Sequence, residues 1–241
     1  MTVILEAKNL TKSFGGVRVV DDLSVSLIQG EALGVVGPNG AGKTSMLNLL
    51  TGIIHPDSGS VILAGHDVSR QSPDRRCFLG LGRTYQIPRP FEGMTVFENV
   101  LVGGTYGRGR SEKASYEVCA RALDRAGLLP SSNVLAESLS LLERKRLELA
   151  RALATEPKVL LLDEIAGGLT EQEVLTLIET IKKLRDEGIS IIWIEHIVHA
   201  LLAVVNRLMA IDFGKLIAVG DPHEVINSPQ VRDVYMGSMM V

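Results

Sequence analysis

Gly37-Pro38-Asn39-Gly40-Ala41-Gly42-Lys43-Thr44 lies between an apolar run, Ala32–Val36, and a stretch of helical character over residues 45–50. Strand, glycine loop and helix in that order match the pattern G-x-x-x-x-G-K-[ST]. Glycines let the backbone curl so that its N–H groups point inward around phosphate oxygens. The helix that follows presents the positive end of its dipole to the same anion. Lys43 places a point charge where the β and γ phosphates of a nucleotide would lie, and Thr44 offers a hydroxyl to Mg²⁺. Gly37, Pro38, Asn39, Gly40, Ala41, Gly42, Lys43, Thr44 and Ser45 are therefore the candidate nucleotide-binding residues.

Working outward, a second apolar run over residues 158–162 ends in Asp163-Glu164. A bare acidic pair at a strand end is ordinarily just solvated. Downstream of a phosphate loop the chemical reading wins: Asp163 reaches the Mg²⁺ shell, and Glu164 orients and polarises an attacking water. Residues 189–194 form another buried run, and helical segments are expected over 171–187 and 197–205. Buried strands alternating with helices imply an α/β chain with a largely parallel sheet covered on both faces.

The flanks read differently. Residues 3–28 carry β-branched, partly alternating runs with Gly15-Gly16 as a hairpin turn, and 60–64 follow the turn Pro56-Asp57-Ser58-Gly59. Residues 66–90 are mixed and polar. Residues 95–155 are mostly helical, with breaks expected over 103–109 and 127–132. A helix begins at Ser140, with Leu142, Leu149, Ala150 and Leu153 on one stripe and Arg144, Lys145 and Arg151 elsewhere. Residues 208–219 read as a hairpin turning at Phe213-Gly214-Lys215.

Hydrophobic residues make up 46% of the 241, which excludes a disordered chain. The net charge of −3 and the scarcity of aromatics argue against nucleic acid as a partner. Cys77 and Cys119 are far apart and read as free thiols of a reducing compartment. The N-terminus shows no signal-peptide pattern, and no apolar run approaches the roughly 20 residues that span a bilayer. Action at a membrane would require docking on another chain.

Further motifs narrow the field. Arg83-Thr84-Tyr85-Gln86 resembles the Q-loop of ATP-binding cassette (ABC) proteins, Leu139-Ser140 with the basic helix after it their signature region, Ala166-Gly167-Gly168-Leu169 their D-loop, and Ile194-Glu195-His196 their switch-histidine segment. Phe14, before Gly15-Gly16, resembles the aromatic residue that stacks on adenine. The resemblance spans essentially the whole chain. It is closest to the branch serving branched-chain amino acid importers, through Phe14-Gly15-Gly16, Gly82 to Gln86, Glu195-His196, and an ending like Gly220-Asp221-Pro222 through Val234-Tyr235-Met236-Gly237.

The resemblance implies a single P-loop NTPase unit over residues 1–241. About 1–86 and 156–241 would form a mainly parallel core with an antiparallel β subdomain, and about 87–155 a helical subdomain carrying the signature. It implies ATP and Mg²⁺ as cofactors, Thr44, Gln86 and Asp163 around the metal, and Glu164, His196 and Gln86 as catalytic residues. It also implies a second cassette: this chain's signature, including Ser140, completes the partner's site, and the partner's signature completes the site on this chain. Residues 87–104 would lie near the coupling helix of a transmembrane permease. A periplasmic solute-binding protein would feed the permease, and the subunit would sit peripherally on the cytoplasmic face of the inner membrane.

The chain departs from the family in two places. The signature Leu-Ser-x-Gly-Gln here reads Leu139-Ser140-Leu141-Leu142-Glu143, and Ile165 replaces the usual proline after the acidic pair. Ser140-x-x-Glu143 also fits a helix-capping box, so local capping competes with phosphate contact by Ser140; the two are compatible. His196 and His199 lack the ligands of a metal site. Asp212-Phe213-Gly214 reads as a turn, Arg70, Arg75, Arg76 and Arg83 as a solvated basic face, His55 and His66 as surface residues, and Met236, Met239 and Met240 as tail or interface packing.

Overall fold

A computed structural model describes residues 2–237. Three short strands carry the centre: β3 (Ala32–Val36), β7 (Val159–Asp163) and β8 (Ser190–Ile194), every residue of which is buried. Because side chains alternate across a strand, an unbroken apolar run must feed two cores at once. It does so here. Leu160, Leu162, Ile191 and Trp193 join one hydrophobic cluster, while Val159, Leu161, Ile192 and Ile194 join the other.

These strands belong to a six-stranded sheet ordered β10-β9-β3-β8-β7-β6, with β6 at Leu81–Arg83, β9 at Arg207–Asp212 and β10 at Lys215–Gly220. All pairings in it are parallel except the β9–β10 hairpin, which turns at Phe213-Gly214. A second, antiparallel sheet is ordered β2-β1-β4-β5, from β1 (Val3–Phe14), β2 (Val17–Ile28), β4 (Ser58–Leu63) and β5 (His66–Asp67). The sheets sandwich α1 (Lys43–Thr51), whose Met46, Leu47, Leu49 and Leu50 are buried in the second cluster.

On the other face lie α3 (Val96–Tyr106), α4 (Glu112–Arg125), α5 (Leu141–Ala154) and α6 (Glu171–Asp186). α7 (Val198–Leu202), α8 (Pro222–Asn227) and α9 (Pro229–Gly237) complete the chain. No helix among the described residues is long and apolar enough to cross a membrane.

Several sequence expectations need correction. The mixed segment 66–90 contains β5, α2 (Pro73–Leu79) and β6. The basic residues there do not form one solvated face: Arg70 and Arg75 are exposed, Arg76 is fully buried and Arg83 nearly so. Arg76 donates to the carbonyls of Leu49 and Leu50 at 2.6 and 2.8 Å, so a guanidinium neutralises the negative end of α1. Burial pulls its pKa down to about 10.

The break expected over 103–109 does not begin at 103. α3 runs on through Gly103 and Gly104, where packing excludes a side chain: a Cβ at Gly103 would meet the Arg151 carbonyl of α5 at 2.5 Å and one at Gly104 the Cys119 sulfur of α4 at 2.6 Å. These glycines let helices approach closely. Lys145, expected off the apolar stripe, is buried. The helix expected over 197–205 stops at Leu202, where the chain swings so that the Asn206 side chain accepts from Ala32 N at 2.9 Å and β9 can begin. Cys77 and Cys119 are free thiols, and His55 and His66 are exposed. Met239, Met240 and the side chain of Met236 lie outside the described residues.

Candidate functional site

The phosphate loop leaves β3 and enters α1 through glycines that local geometry requires. A Cβ at Gly37 would lie 2.3 Å from the Ile211 carbonyl. Gly42, with φ of 98°, is the N-cap of α1, and no side chain caps that helix. The Lys43 ammonium is buried and donates to the carbonyls of Gly37 and Pro38 at 2.7 and 2.9 Å. Burial lowers its pKa, opposed by the nearby charges of Glu164 and Asp163. Asn39, Gly40, Ala41, Gly42, Lys43, Thr44, Ser45, Val19 and Glu164 line one cleft.

Glu164 follows the last residue of β7 with a φ of 47°, a conformation that costs a non-glycine residue on the order of 1–3 kcal/mol. The backbone there is held by Glu164 N donating to Ile194 O at 2.9 Å. Its carboxylate collects two side chains from distant segments: Gln86 Nε2 donates to Oε2 at 2.5 Å, and His196 Nε2 lies 2.9 Å from Oε1. The three residues nominated for the metal, Thr44, Gln86 and Asp163, line a second, adjoining cleft of about 490 Å³ with Asn48, Arg83, Tyr85, Ile87, Arg89, Glu148 and Arg151.

The other nominated residues stand apart from the phosphate cleft. Phe14 is 52% exposed at the tip of the β1–β2 hairpin, with the Lys12 ammonium 5.5 Å from its ring centre. Ser140 caps α5 in a full capping box. Its hydroxyl accepts from Glu143 N at 3.4 Å, and the Glu143 carboxylate accepts from Ser140 N at 2.9 Å. Leu141 is 45% exposed, and its Cδ2 lies 3.3 Å from where a Cβ on Gly168 would stand.

Two residues of the site were not nominated from sequence. Glu195 is buried, and its two carboxylate oxygens accept from Ala166 N at 2.6 Å and His196 N at 3.1 Å. It pins the segment after Glu164 to the segment carrying His196. Burial raises its pKa against the pull of those backbone donors. Lys145 points its ammonium at the Gln86 carbonyl, 3.5 Å away, and its lowered pKa reflects burial opposed by Glu195 and Glu164. An acid directly after an apolar strand was the one available signal for Glu195. Lys145 gave none.

Comparison with known proteins shows the family of the chain. The ABC transporter family matches residues 20–167, more than half of the chain. The chain belongs to the ABC transporter family. As its ATP-binding subunit, it hydrolyses ATP; such subunits dimerise and work with transmembrane permeases. A second family, described as branched-chain amino acid ATP-binding cassette transporter, matches the cassette over residues 215–239.

The cassette is 34% identical to the lipopolysaccharide export system ATP-binding protein LptB of Haemophilus influenzae, over 97% of each chain. It is 33% identical to the high-affinity branched-chain amino acid transport ATP-binding protein LivG of Salmonella typhimurium, over 97% of this chain and 98% of that one. A solved cassette in its ADP conformation superimposes with a TM-score of 0.90 at 28% identity, covering 98% of this cassette and all of that chain. A nucleotide-free cassette gives a TM-score of 0.89 at 29% identity, over 97% and 99%.

Proposed function

We propose that this cassette is the motor of an importer for branched-chain amino acids or a related small polar solute. The observation that carries the reading is the C-terminal stretch, residues 215–239, which matches the branched-chain amino acid family, backed by the LivG relative. The subunit would sit on the cytoplasmic face of the cell membrane, docked on permease subunits and paired with a second cassette. A solute-binding protein would deliver the cargo. The surface offered to the permease is the segment 87–104, where exposed Ile87 and Phe91 flank the cleft lined by Arg89 and Arg151. In this reading helices α3–α5 form the helical subdomain and the rest of the chain the nucleotide-binding core.

Within the site, Lys43 and the loop amides hold the β and γ phosphates, and Phe14 takes the adenine. Thr44, Gln86 and Asp163 supply only oxygen donors, which suits Mg²⁺ better than a softer metal. When bound, Mg²⁺ neutralises charge that builds on the phosphates. Glu164 accepts the proton side of the attacking water, Gln86 and His196 fix its carboxylate, and His196 also faces the γ-phosphate.

A specific observation favours a second reading, in which the chain is the asymmetric member of an unlike pair. The N-terminus of α5 carries Leu142 where close backbone approach to the partner's nucleotide calls for glycine. One composite site would then be weak, and the other would be completed by the partner's signature.

Reconstitution with its permease and solute-binding protein in liposomes tests the proposal. ATP-dependent accumulation of leucine is the expected result. ATP-dependent removal of a lipid from the bilayer, with no leucine uptake, would overturn it in favour of export.

A further inference from the structure

Arg83 is part of a stretch that reads as merely basic, and the scheme above gives it no task. It closes β6, three residues before Gln86. Its side chain is 7% exposed, as is that of Asp163. Nη2 donates to Asp163 Oδ2 at 2.8 Å, Nη1 donates to Asn48 Oδ1 at 2.7 Å, and the guanidinium carbon stands 4.9 Å from the centre of the Tyr85 ring. Asn48 lies one helical turn beyond Thr44 on α1. One planar fork therefore ties together the helix that carries Thr44, the strand that carries Asp163 and the segment that carries Gln86.

We propose that Arg83 is a positioning residue for the Mg²⁺ shell: it occupies one oxygen of Asp163, fixes that carboxylate against α1, and leaves the second oxygen for the metal's shell. The proposal rests on the reading that Thr44, Gln86 and Asp163 surround Mg²⁺. The physical need is plain. A carboxylate this enclosed is costly without a cation and hydrogen bonds, and it is free to rotate if held by a point charge alone. Arginine's rigid fork supplies two directed donors, where lysine supplies charge without the bridge to Asn48. Groups that orient a metal ligand in this way alter metal affinity by about 10–100-fold when removed. The bland alternative is that Arg83 only staples β6 to α1, which would affect stability and leave metal dependence alone.

The test separates these roles in the full chain. Binding of a ribose-labelled fluorescent ADP is measured first in EDTA and then across a Mg²⁺ titration, with a thermal melt for each variant. Arg83→Met should bind labelled ADP in EDTA within about twofold of the parent, while the Mg²⁺ concentration at half-effect rises about 10–100-fold. Arg83→Lys and Asn48→Ala should shift it in the same direction by less, and they carry the test if Arg83→Met does not fold. Variants that melt lower but keep the parent's Mg²⁺ dependence would overturn the proposal and leave the Mg²⁺ shell intact. A parent chain whose binding ignores Mg²⁺ altogether would overturn both.

Discussion

Two helices of this molecule begin at places where an anion is expected, and they begin in opposite ways. α1 starts at Gly42, in a left-handed conformation, with no side-chain cap. α5 starts at Ser140, with a complete capping box closed by Glu143. The first four N–H groups of any helix lack partners within the helix. At α1 no side chain takes them, and a buried lysine waits beside them. At α5 a hydroxyl takes one and a carboxylate covers the cap. The difference teaches that a helix N-terminus becomes an anion site by what the sequence withholds. A cap that stabilises the helix by itself also competes with the ligand.

The strongest break of that contrast is at the α1 end. Glu164→Gln keeps the shape of the carboxylate that faces the phosphate loop but removes its capacity to take a proton. Phosphate release by the assembled complex should fall about 10²–10⁴-fold with nucleotide binding retained. Lys43→Ala should weaken labelled-ATP binding on the order of 10- to 100-fold, the worth of a charge-assisted contact. Undiminished binding in that variant would remove α1 as the anion site.

The α5 end should respond in the other sense. Leu142→Gly should raise ATPase activity of the assembled complex, by letting the backbone approach the opposite nucleotide, at a helix cost of roughly 0.5–1 kcal/mol. No gain would count against an asymmetric pair. Ser140→Ala should cost about 1 kcal/mol in urea unfolding through the lost cap. Labelled-ATP binding by the isolated subunit should not change. Glu143→Gln sharpens this further, because glutamine closes the same box without charge. Unchanged stability with raised activity would show that the charge, and not the cap, opposes the anion.

What was legible beforehand follows the same logic of which groups have a partner. The runs at 32–36, 159–162 and 189–194 announced strands buried on both faces, since nothing else tolerates such unbroken apolarity, and the parallel sheet followed. The glycine loop and the acidic pair announced a nucleotide. Illegible were charges whose partners lie far along the chain. Arg76 reads as solvated until the carbonyl end of α1 is placed against it, 26 residues upstream. Gly103 and Gly104 read as a break until α4 and α5 press against them. The convergence of Gln86 and His196 on Glu164 joins residues 78 and 32 positions apart, which no local pattern encodes.

The smallest effect concerns Glu195, the neighbour of His196. Its folded pKa lies above the ordinary 4.5 because burial outweighs the donors Ala166, His196 and Ile197. The folded chain thus keeps a proton over a range in which the unfolded chain has released it. Stability from this group is full below about 4.5 and declines as pH rises toward the folded value. The nearby charge of Glu164 pushes in the same direction as burial, while Lys145, whose own charge Glu195 supports, pulls against it. Glu195→Gln removes the slope entirely. The difference in melting temperature between variant and parent should therefore move in the variant's favour as pH rises above about 4.5 and level off past the folded value, whatever constant offset the substitution imposes. Once the parent's Glu195 is ionised, the variant should also hold Ala166 more loosely, because a neutral amide oxygen accepts that N–H more weakly than a carboxylate does. Faster hydrogen exchange at Ala166 with a pH-independent melting difference would mean that Glu195 is already ionised throughout, held so by its three backbone donors.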